Sequence, residues 1–150
     1  MKKINLSFRK AVKNGDDLLI PMMATNMINI ASIQLPLFIN PAKFRILGVE
    51  NWNGELSQDS LVYNCDKPFG TDGGCIISWT PSGGNYMRSM EDGLLCHIRV
   101  KSMGKKQAMI ITYFVGLSGS IEITTLTKAF GSINIPYKFV PHTVRNVKLK

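Results

Sequence analysis

Histidine is the side chain best suited to acid–base chemistry near neutral pH, and this chain of 150 residues contains two of them. His97 lies in an alternating stretch between Cys96 and Ile98, and His142 follows Pro141 near the C-terminus. A lone histidine on a strand is typical of a surface residue. No Gly-x-Ser-x-Gly, His-Glu-x-x-His or P-loop motif occurs. The sequence therefore predicts no catalytic residue and no enzymatic activity.

Metal and phosphate sites are also not indicated. The acidic pairs Asp16-Asp17 and Glu91-Asp92 stand in turn regions. Because calcium takes about six to eight oxygen ligands, two isolated pairs are expected to act as turn and capping residues. The glycine-rich stretch Gly70–Gly74 lacks the following helix that phosphate binding needs. We expect neither a metal nor a cofactor.

Three cysteines allow at most one disulfide within the chain and leave one thiol. Cys96 shares its strand parity with Ile98 and Val100, which predicts a buried thiol. Cys65 and Cys75 flank a glycine-rich loop and each adjoins a predicted strand end, so a bridge could close the mouth of this connection. An oxidising compartment favours that bond, whereas a reducing one leaves three free thiols, and both alternatives stay open.

Aromatic residues raise the question of a carbohydrate platform. Trp52, Trp79, Tyr63 and Tyr86 each lie in or beside a turn region of a different segment. A platform needs several coplanar, exposed rings, and Trp52 is the best candidate for a sugar contact because it stands at the tip of an apparent hairpin loop. The competing interpretation, which we favour, is that tryptophan covers the open end of a sandwich.

The net charge of +8 is concentrated at the two ends of the chain. Residues 1–15 carry five basic side chains and residues 138–150 carry four, with no acid in either segment. We expect residues 2–10 and 144–150 to lie close in space and to form one basic patch. Solvated terminal strands are one explanation of this patch, and a polyanion or acidic partner is the other. The few aromatic residues nearby argue against nucleic acid.

Composition predicts one globular domain spanning residues 1–150. Hydrophobic residues make up 45% of the chain and charged residues 19%, which argues against disorder. No apolar run approaches the roughly 20 residues that a membrane helix needs. The basic start is not followed by an apolar stretch, so it does not resemble a signal peptide.

Short alternating segments separated by glycine-rich turns predict an all-β sandwich or barrel. Tyr86–Glu91 is the only segment predicted to form a helical turn. The predicted strands are about Ile4–Phe8, Leu18–Ala24, Ile30–Ile39, Phe44–Val49, Leu61–Tyr63, Cys75–Trp79, Leu94–Val100, Met109–Phe114, Ser120–Thr125, Ile133–Phe139 and Val144–Leu149.

The order of these segments resembles the cohesin domain, the receptor module of cellulosome-type assemblies. The strand Ile4–Phe8 is followed by the Gly-Asp turn and proline-bearing strand of Asn14–Pro21. A long alternating strand, Ile30–Ile39, then ends at Asn40-Pro41. Gly74–Trp79 and Asp92–Val100 match the family's later strands. The match covers about residues 4–115 and thins beyond them.

The resemblance implies an antiparallel β-sandwich of jelly-roll, cohesin-like topology. It also implies that one outer sheet face holds a calcium-loaded pair of dockerin helices. The family's contact positions on the third strand correspond to Ser32 and Gln34. Alternation places Pro36 and Phe38 on the same outward face, and Ser78 is expected beside them. A neutral Ser/Gln pair by itself gives no electrostatic preference for a basic dockerin helix.

From the resemblance we expect a non-catalytic protein–protein interaction module that binds a dockerin-like protein. It would belong to a secreted or cell-surface assembly of the kind that serves polysaccharide breakdown, its leader being absent from this sequence. The alternatives are a carbohydrate-binding module with a polysaccharide ligand and a structural spacer domain. Neither nucleic acid nor a membrane span is expected.

Overall fold

A computed structural model describes residues 2–39, 44–58, 60–68, 70, 73–83, 86–102, 106–113, 121–129, 131–140 and 142–148. These residues contain thirteen strands and no helix. The strands are β1 (Ile4–Phe8), β2 (Val12–Asn14), β3 (Asp17–Thr25), β4 (Ser32–Ile39), β5 (Phe44–Glu50), β6 (Val62–Asn64), β7 (Gly74–Trp79), β8 (Gly93–Ser102), β9 (Lys106–Tyr113), β10 (Glu122–Leu126), β11 (Ser132–Asn134), β12 (Tyr137–Phe139) and β13 (His142–Lys148).

The strands form two sheets. The first sheet has six strands in the order β12-β1-β3-β8-β5, with β2 added beside β3. The second sheet has seven strands in the order β11-β10-β4-β7-β6, and β9 pairs with both β4 and β13. All of these pairings are antiparallel except the one between β1 and β12. The predicted all-β, antiparallel sandwich is therefore confirmed.

One core lies between the inward faces of the two sheets. Buried and half-exposed residues alternate along the whole of β3, as they must when successive side chains point to opposite faces of a sheet. Ile20 on β3 and Ile98 on β8 belong to this core from the first sheet, and Leu35 and Ile77 belong to it from the second. Burying an aliphatic side chain of this size contributes about 1.5–3 kcal/mol, so alternation also sets which face of each strand is inward.

The predicted strand Ile133–Phe139 is two strands in the structure. β11 pairs with β10 in the second sheet, whereas β12 pairs with β1 in the first. The chain crosses between the sheets at Ile135 and Pro136, where the buried Ile135 side chain fills the core and Pro136 has no N–H to donate to a ladder. The apolar pattern is continuous across this crossing, so the sequence predicts one strand here.

Two further local predictions differ from the structure. Tyr86–Glu91 contains no helical turn; Arg88 instead forms an isolated antiparallel bridge with Ile30. The short strand β2 was not predicted, because its exposed residues show no apolar alternation. Asn40-Pro41 lies outside the described residues. In the ranges given above, no helix is long and apolar enough to cross a membrane.

The two basic ends are not strand neighbours. The neighbour of β1 is β12, which carries Lys138, and the last strand β13 pairs with β9 in the other sheet. That residues 2–10 and 144–150 lie close in space and form one basic patch stays a prediction, and 149–150 lie outside the described residues. The first strand is bordered instead by the strand that follows the crossing at Pro136.

Candidate functional site

The outward face of the second sheet carries the side chains predicted to meet a partner. Ser32, Gln34 and Phe38 alternate on β4 with the buried residues Ile33 and Leu35, and all three are half-buried. This intermediate exposure is what alternation requires of side chains on the outer surface of a central strand.

Strand pairing brings the fifth predicted residue, Ser78, to the same place. Ser78 on β7 is the register partner of Gln34 on β4, and it is half-buried like Gln34. Residues directly opposite each other on one face of a sheet have Cβ atoms about 4.5–5.5 Å apart. Gln34 and Ser78 therefore form a polar centre on this surface, which we call the partner face. The partner face comprises Ser32, Gln34, Pro36, Phe38 and Ser78 together with Val62, Asn64, Ile76, Glu122 and Thr124.

Pro36 departs from its expected exposure. It has the parity of the outward residues, yet the structure buries it. β4 is flanked by β7 on one side and by β9 and β10 on the other, and half-buried Ile76 is the register partner of Pro36. A short pyrrolidine ring rises little above the sheet and is enclosed by longer neighbours. Pro36 therefore shapes the floor of the partner face, and Phe38 is the more exposed of the two.

Ser32 already has a partner within the protein. Its hydroxyl lies 2.5 Å from the hydroxyl of Thr124 on β10, a side chain that is itself buried. A hydroxyl with one strong internal hydrogen bond gains less from a new one, because part of its capacity is used. Ser32 is thus a weaker candidate for an intermolecular hydrogen bond than its half-buried position alone indicates.

Glu122 is a member of the partner face that sequence reasoning missed. β10 pairs with β4 so that Glu122 is opposite Gln34, on the side away from Ser78. Its side chain is exposed. The sequence does show Glu122 on an alternating segment, but which strand lies beside β4 is a property of the sheet order. Glu122 places a carboxylate next to the neutral Ser/Gln pair.

An apolar margin borders this polar centre. Val62 on the edge strand β6 is 65% exposed and is the register partner of Ser78. Ile76 is half-buried on the same face of β7. With Phe38, these side chains provide apolar surface around Gln34 and Ser78. Apolar contact area beside a few polar groups is the usual composition of a protein-binding surface.

Trp52, the candidate sugar contact, is buried with 3% of its surface exposed. The loop that carries it is held against β8 by Asn53, whose backbone N–H donates to the Leu95 carbonyl (2.8 Å) and whose side-chain amide donates to the Leu94 carbonyl (2.9 Å). Trp79 is 1% exposed, and its Nε1 donates to the Ser57 carbonyl at 2.6 Å. Both indole rings therefore belong to the core, and neither offers a face to a sugar.

The histidines and acidic pairs lie apart from the partner face. His97 is half-buried on β8 of the first sheet, where its Nδ1 is 3.1 Å from the side-chain amide of Asn51, and His142 lies on β13 of the second sheet. Asp92 accepts the backbone N–H of Asn26 at 2.9 Å, and Asp17 binds Arg99. These two carboxylates join segments that are distant in sequence, whereas turn and capping roles were expected of them.

The cysteines divide into one pair and one single thiol. Cys65 and Cys75 form a disulfide, with Cα atoms 4.1 Å apart, between the end of β6 and the start of β7. Cys96 is free and fully buried, and burial raises the pKa of its thiol to about 12. The predicted burial of Cys96 is confirmed, and of the two alternatives for Cys65 and Cys75 the structure has the bridge.

No protein-family model and no curated protein matches this sequence. Solved structures match over nearly its whole length. The seventh ScaB type I cohesin of Pseudobacteroides cellulosolvens superposes with a TM-score of 0.76 at 13% identity, covering 100% of this chain and 96% of that one. A type I cohesin–dockerin complex from Clostridium thermocellum matches with a TM-score of 0.70 at 14% identity, covering 96% of this chain and 99% of the matched one.

A third structure comes from a different setting. A non-cellulosomal cohesin of the archaeon Archaeoglobus fulgidus matches with a TM-score of 0.63 at 17% identity, covering 98% of this chain and 93% of that one. Similarity at this level of identity speaks for the fold and not for the partner. The chain thus has the cohesin fold, as a divergent sequence that resembles cohesin domains along most of its length.

Proposed function

We propose that this protein is a non-catalytic interaction module that binds a dockerin-type partner through the partner face. The observation that carries the proposal is the end-to-end match with cohesins, one of them solved as a cohesin–dockerin complex. A partner on this face would contact Gln34 and Ser78 at the centre and Phe38 and Val62 at the margin.

The charge of the partner face supports a partner of basic or hydrogen-bond-donating character. Strands β4, β6, β7, β10 and β11 contain one acidic residue, Glu122, and no lysine, arginine or histidine. The neutral pair Ser32 and Gln34 gives no preference for a basic helix, whereas the adjacent carboxylate of Glu122 favours one. We infer that the partner's contacting element places a lysine, an arginine or an amide donor opposite Gln34 and Glu122.

The surroundings in which such a module would act follow from the same proposal. A dockerin-type partner is expected to be calcium-loaded, and the assembly to be extracellular or on the cell surface. The Cys65–Cys75 disulfide supports an oxidising compartment. A sugar platform built on Trp52 has no support, because Trp52 is buried in the core.

A calorimetric titration tests the proposal. The full 150-residue protein is titrated with a panel of recombinant dockerin modules that differ in their contact residues, in calcium and again in EDTA. At least one module should bind with a Kd of about 1 μM or tighter, and EDTA should abolish that binding by unfolding the dockerin. If no module binds while insoluble polysaccharide retains the protein, the proposal is overturned.

A further inference from the structure

The strands around the partner face differ in charge from the first sheet, although β9 and β13 of the second sheet carry Lys106, Arg145 and Lys148. Strands β11, β10, β4, β7 and β6 of the second sheet carry no cation, as described above. The strands of the first sheet carry five cations and two acids. Both acids, Asp17 and Glu50, are bound to Arg99. The first sheet therefore keeps an excess of positive charge on the side of the molecule opposite the partner face.

Much of this excess lies along one margin of the first sheet. β1 and β2 follow each other along β3, since β1 pairs with Met22–Thr25 and β2 with Asp17–Leu19. β12 lies on the outer side of β1, with Lys138 in register with Asn5. We call this margin the basic edge. It consists of Lys2, Lys3, Arg9, Lys10, Lys13 and Lys138, all of which are exposed.

The cations of the basic edge are spread along this margin and are exposed, with Lys138 on the outward parity of the sheet and Lys13 on the parity of buried Leu18. From Lys3 to Lys13 the two strands extend roughly 30 Å at the usual rise per residue. Within the part of the chain that the structure describes, none of the six side chains forms an ion pair. Asp17, at the end of this margin, is already bound by Arg99 at 3.0 Å. Unpaired cations spread over this length match a linear anionic chain better than a compact anion.

The residues around the basic edge indicate which class of ligand it suits. Single-stranded nucleic acid needs open aromatic faces on which its bases stack. Phe8, Tyr137 and Phe139 are the aromatic residues beside the cations; all three are half-buried, and Phe8 and Phe139 pack edge to face, with centroids 5.7 Å apart. Val12, Val140 and, beside Lys2, Ile28 are the exposed large apolar side chains here. They are single aliphatic groups and do not form a protein hot spot or a membrane-inserting surface.

We propose that the basic edge binds an acidic polysaccharide along β1, β2 and β12. Five of its six cations are lysines, which act as compact point charges without a fixed fork geometry. Such charges suit carboxylates that recur along a flexible chain. The proposal is independent of the proposed function, because the basic edge and the partner face belong to different sheets.

Binding to polygalacturonate, measured by affinity electrophoresis with neutral dextran as the comparison, tests this assignment. The protein should be retarded by polygalacturonate and not by dextran, and the retardation should weaken steeply as salt is raised. A triple variant of the basic edge, Lys3→Gln, Lys10→Gln and Lys138→Gln, should bind on the order of tenfold more weakly at low salt. Thermal unfolding of the variant should match that of the unchanged protein, because all three side chains are exposed.

A matched control removes the same charge elsewhere. Arg45, on the opposite margin of the first sheet, and Lys67 and Lys128 are exposed and lie outside the basic edge. Their triple substitution by glutamine should leave retardation nearly unchanged. Equal losses in the two triple variants would mean that net charge alone binds the polymer, and would overturn the assignment. It would also fail if single-stranded DNA or anionic lipid vesicles bound the same edge more tightly than polygalacturonate, or if polygalacturonate did not bind.

Discussion

Among single residues of the partner face, Phe38 and Ser32 differ most in what they can contribute to binding. Interfaces concentrate their energy in a few large, well-enclosed side chains, often aromatic ones. Phe38 is half-buried beside the buried Pro36 and retains surface that a partner can cover. Ser32 is small, and its hydroxyl is engaged by Thr124.

Phe38→Ala is expected to weaken dockerin binding by about 2 kcal/mol, and Ser32→Ala by less than about 0.5 kcal/mol. Calorimetric titration of each variant against the same dockerin measures the difference. Leu19→Ala is the matched control, because Leu19 is also half-buried on an outward face, that of the first sheet. A larger loss from Ser32→Ala or Leu19→Ala than from Phe38→Ala would show that the partner uses another surface.

Glu122 should act mainly on the rate of association. A charge at the margin of an interface steers the partner and sets the salt dependence of the on-rate. Glu122→Lys is expected to slow association with a basic dockerin at least several-fold at low salt, with a smaller change in dissociation. Surface plasmon resonance at two ionic strengths separates the two rates. Glu91→Lys, an equal charge change at an exposed position outside the partner face, should leave both unchanged.

At the scale of elements, Arg99 joins four strands of the first sheet. From β8 its guanidinium binds Glu50 on β5, Asp17 on β3 at 3.0 Å and Asn14 on β2 at 3.2 Å. The hydrogen bond from Arg99 lowers the pKa of Glu50, with a smaller opposing effect from burial. The same two carboxylates raise the pKa of Arg99, Glu50 most strongly.

The lowered pKa of Glu50 predicts a loss of stability in acid. The pKa of an unperturbed glutamate is 4.5 and that of folded Glu50 lies below it, so the stabilisation is fully present above pH 4.5. It is lost as pH falls through the folded pKa, where the carboxyl becomes protonated. The melting temperature should therefore fall more steeply from pH 7 to pH 3 for the unchanged protein than for Glu50→Gln. Glu91→Gln serves as the control, and identical slopes for the unchanged protein and Glu50→Gln would contradict this role of the network.

The disulfide acts on another element, the connection from β6 to β7. Cys65 and Cys75 are ten positions apart. In the entropic model, closing a loop of this size stabilises the folded protein by about 2–3 kcal/mol, because it restricts the unfolded chain. β6 is a three-residue edge strand whose side chains are all exposed, so it has little burial of its own to hold it on β7. We expect reduction to lower the stability of the protein by up to that amount.

Thiol labelling checks the cysteine assignment. Native protein should take up no alkylating reagent, because Cys96 is fully buried and the other two cysteines are bridged. Denatured, never-reduced protein should take up one label, and reduced protein three, as read from the intact mass. Three labels without reductant would rule out the bridge.

At the scale of the whole molecule, the two proposed binding surfaces lie on different sheets. The partner face belongs to the second sheet, and the basic edge to the margin of the first formed by β12, β1 and β2. A module with two separate surfaces can hold a protein partner while attached to an anionic polymer.

Simultaneous binding is the expected outcome. A dockerin that binds the protein should be retained on immobilised polygalacturonate only when the protein is present. Saturating the protein with dockerin should change its affinity for polygalacturonate by less than about threefold, since the coupling free energy between independent sites is small. Competition between the two ligands would show that the surfaces overlap.

Local pattern was enough to predict the class of fold and which side chains of β4 face outward, Pro36 excepted. The alternation around Ile33 and Leu35 correctly separated the inward side of β4 from the outward side. It failed at Ile135 and Pro136, where one apolar run passes from one sheet to the other. At Trp52 the favoured interpretation, a ring that covers the end of the sandwich, agrees with its burial, and hydrogen bonds from Asn53 to β8 hold its loop in place.

What the sequence alone determined is a property of each strand: which side chains face inward, where turns interrupt the chain, and that the cations gather near the ends. These follow from the two-residue period of a strand and from composition, both of which are local. Only the tertiary structure decided which strands are neighbours. The carboxylate of Glu122 beside Gln34, and Lys138 beside Asn5, depend on pairings between distant segments. Such pairings are selected by the packing of the whole core, which no single segment encodes.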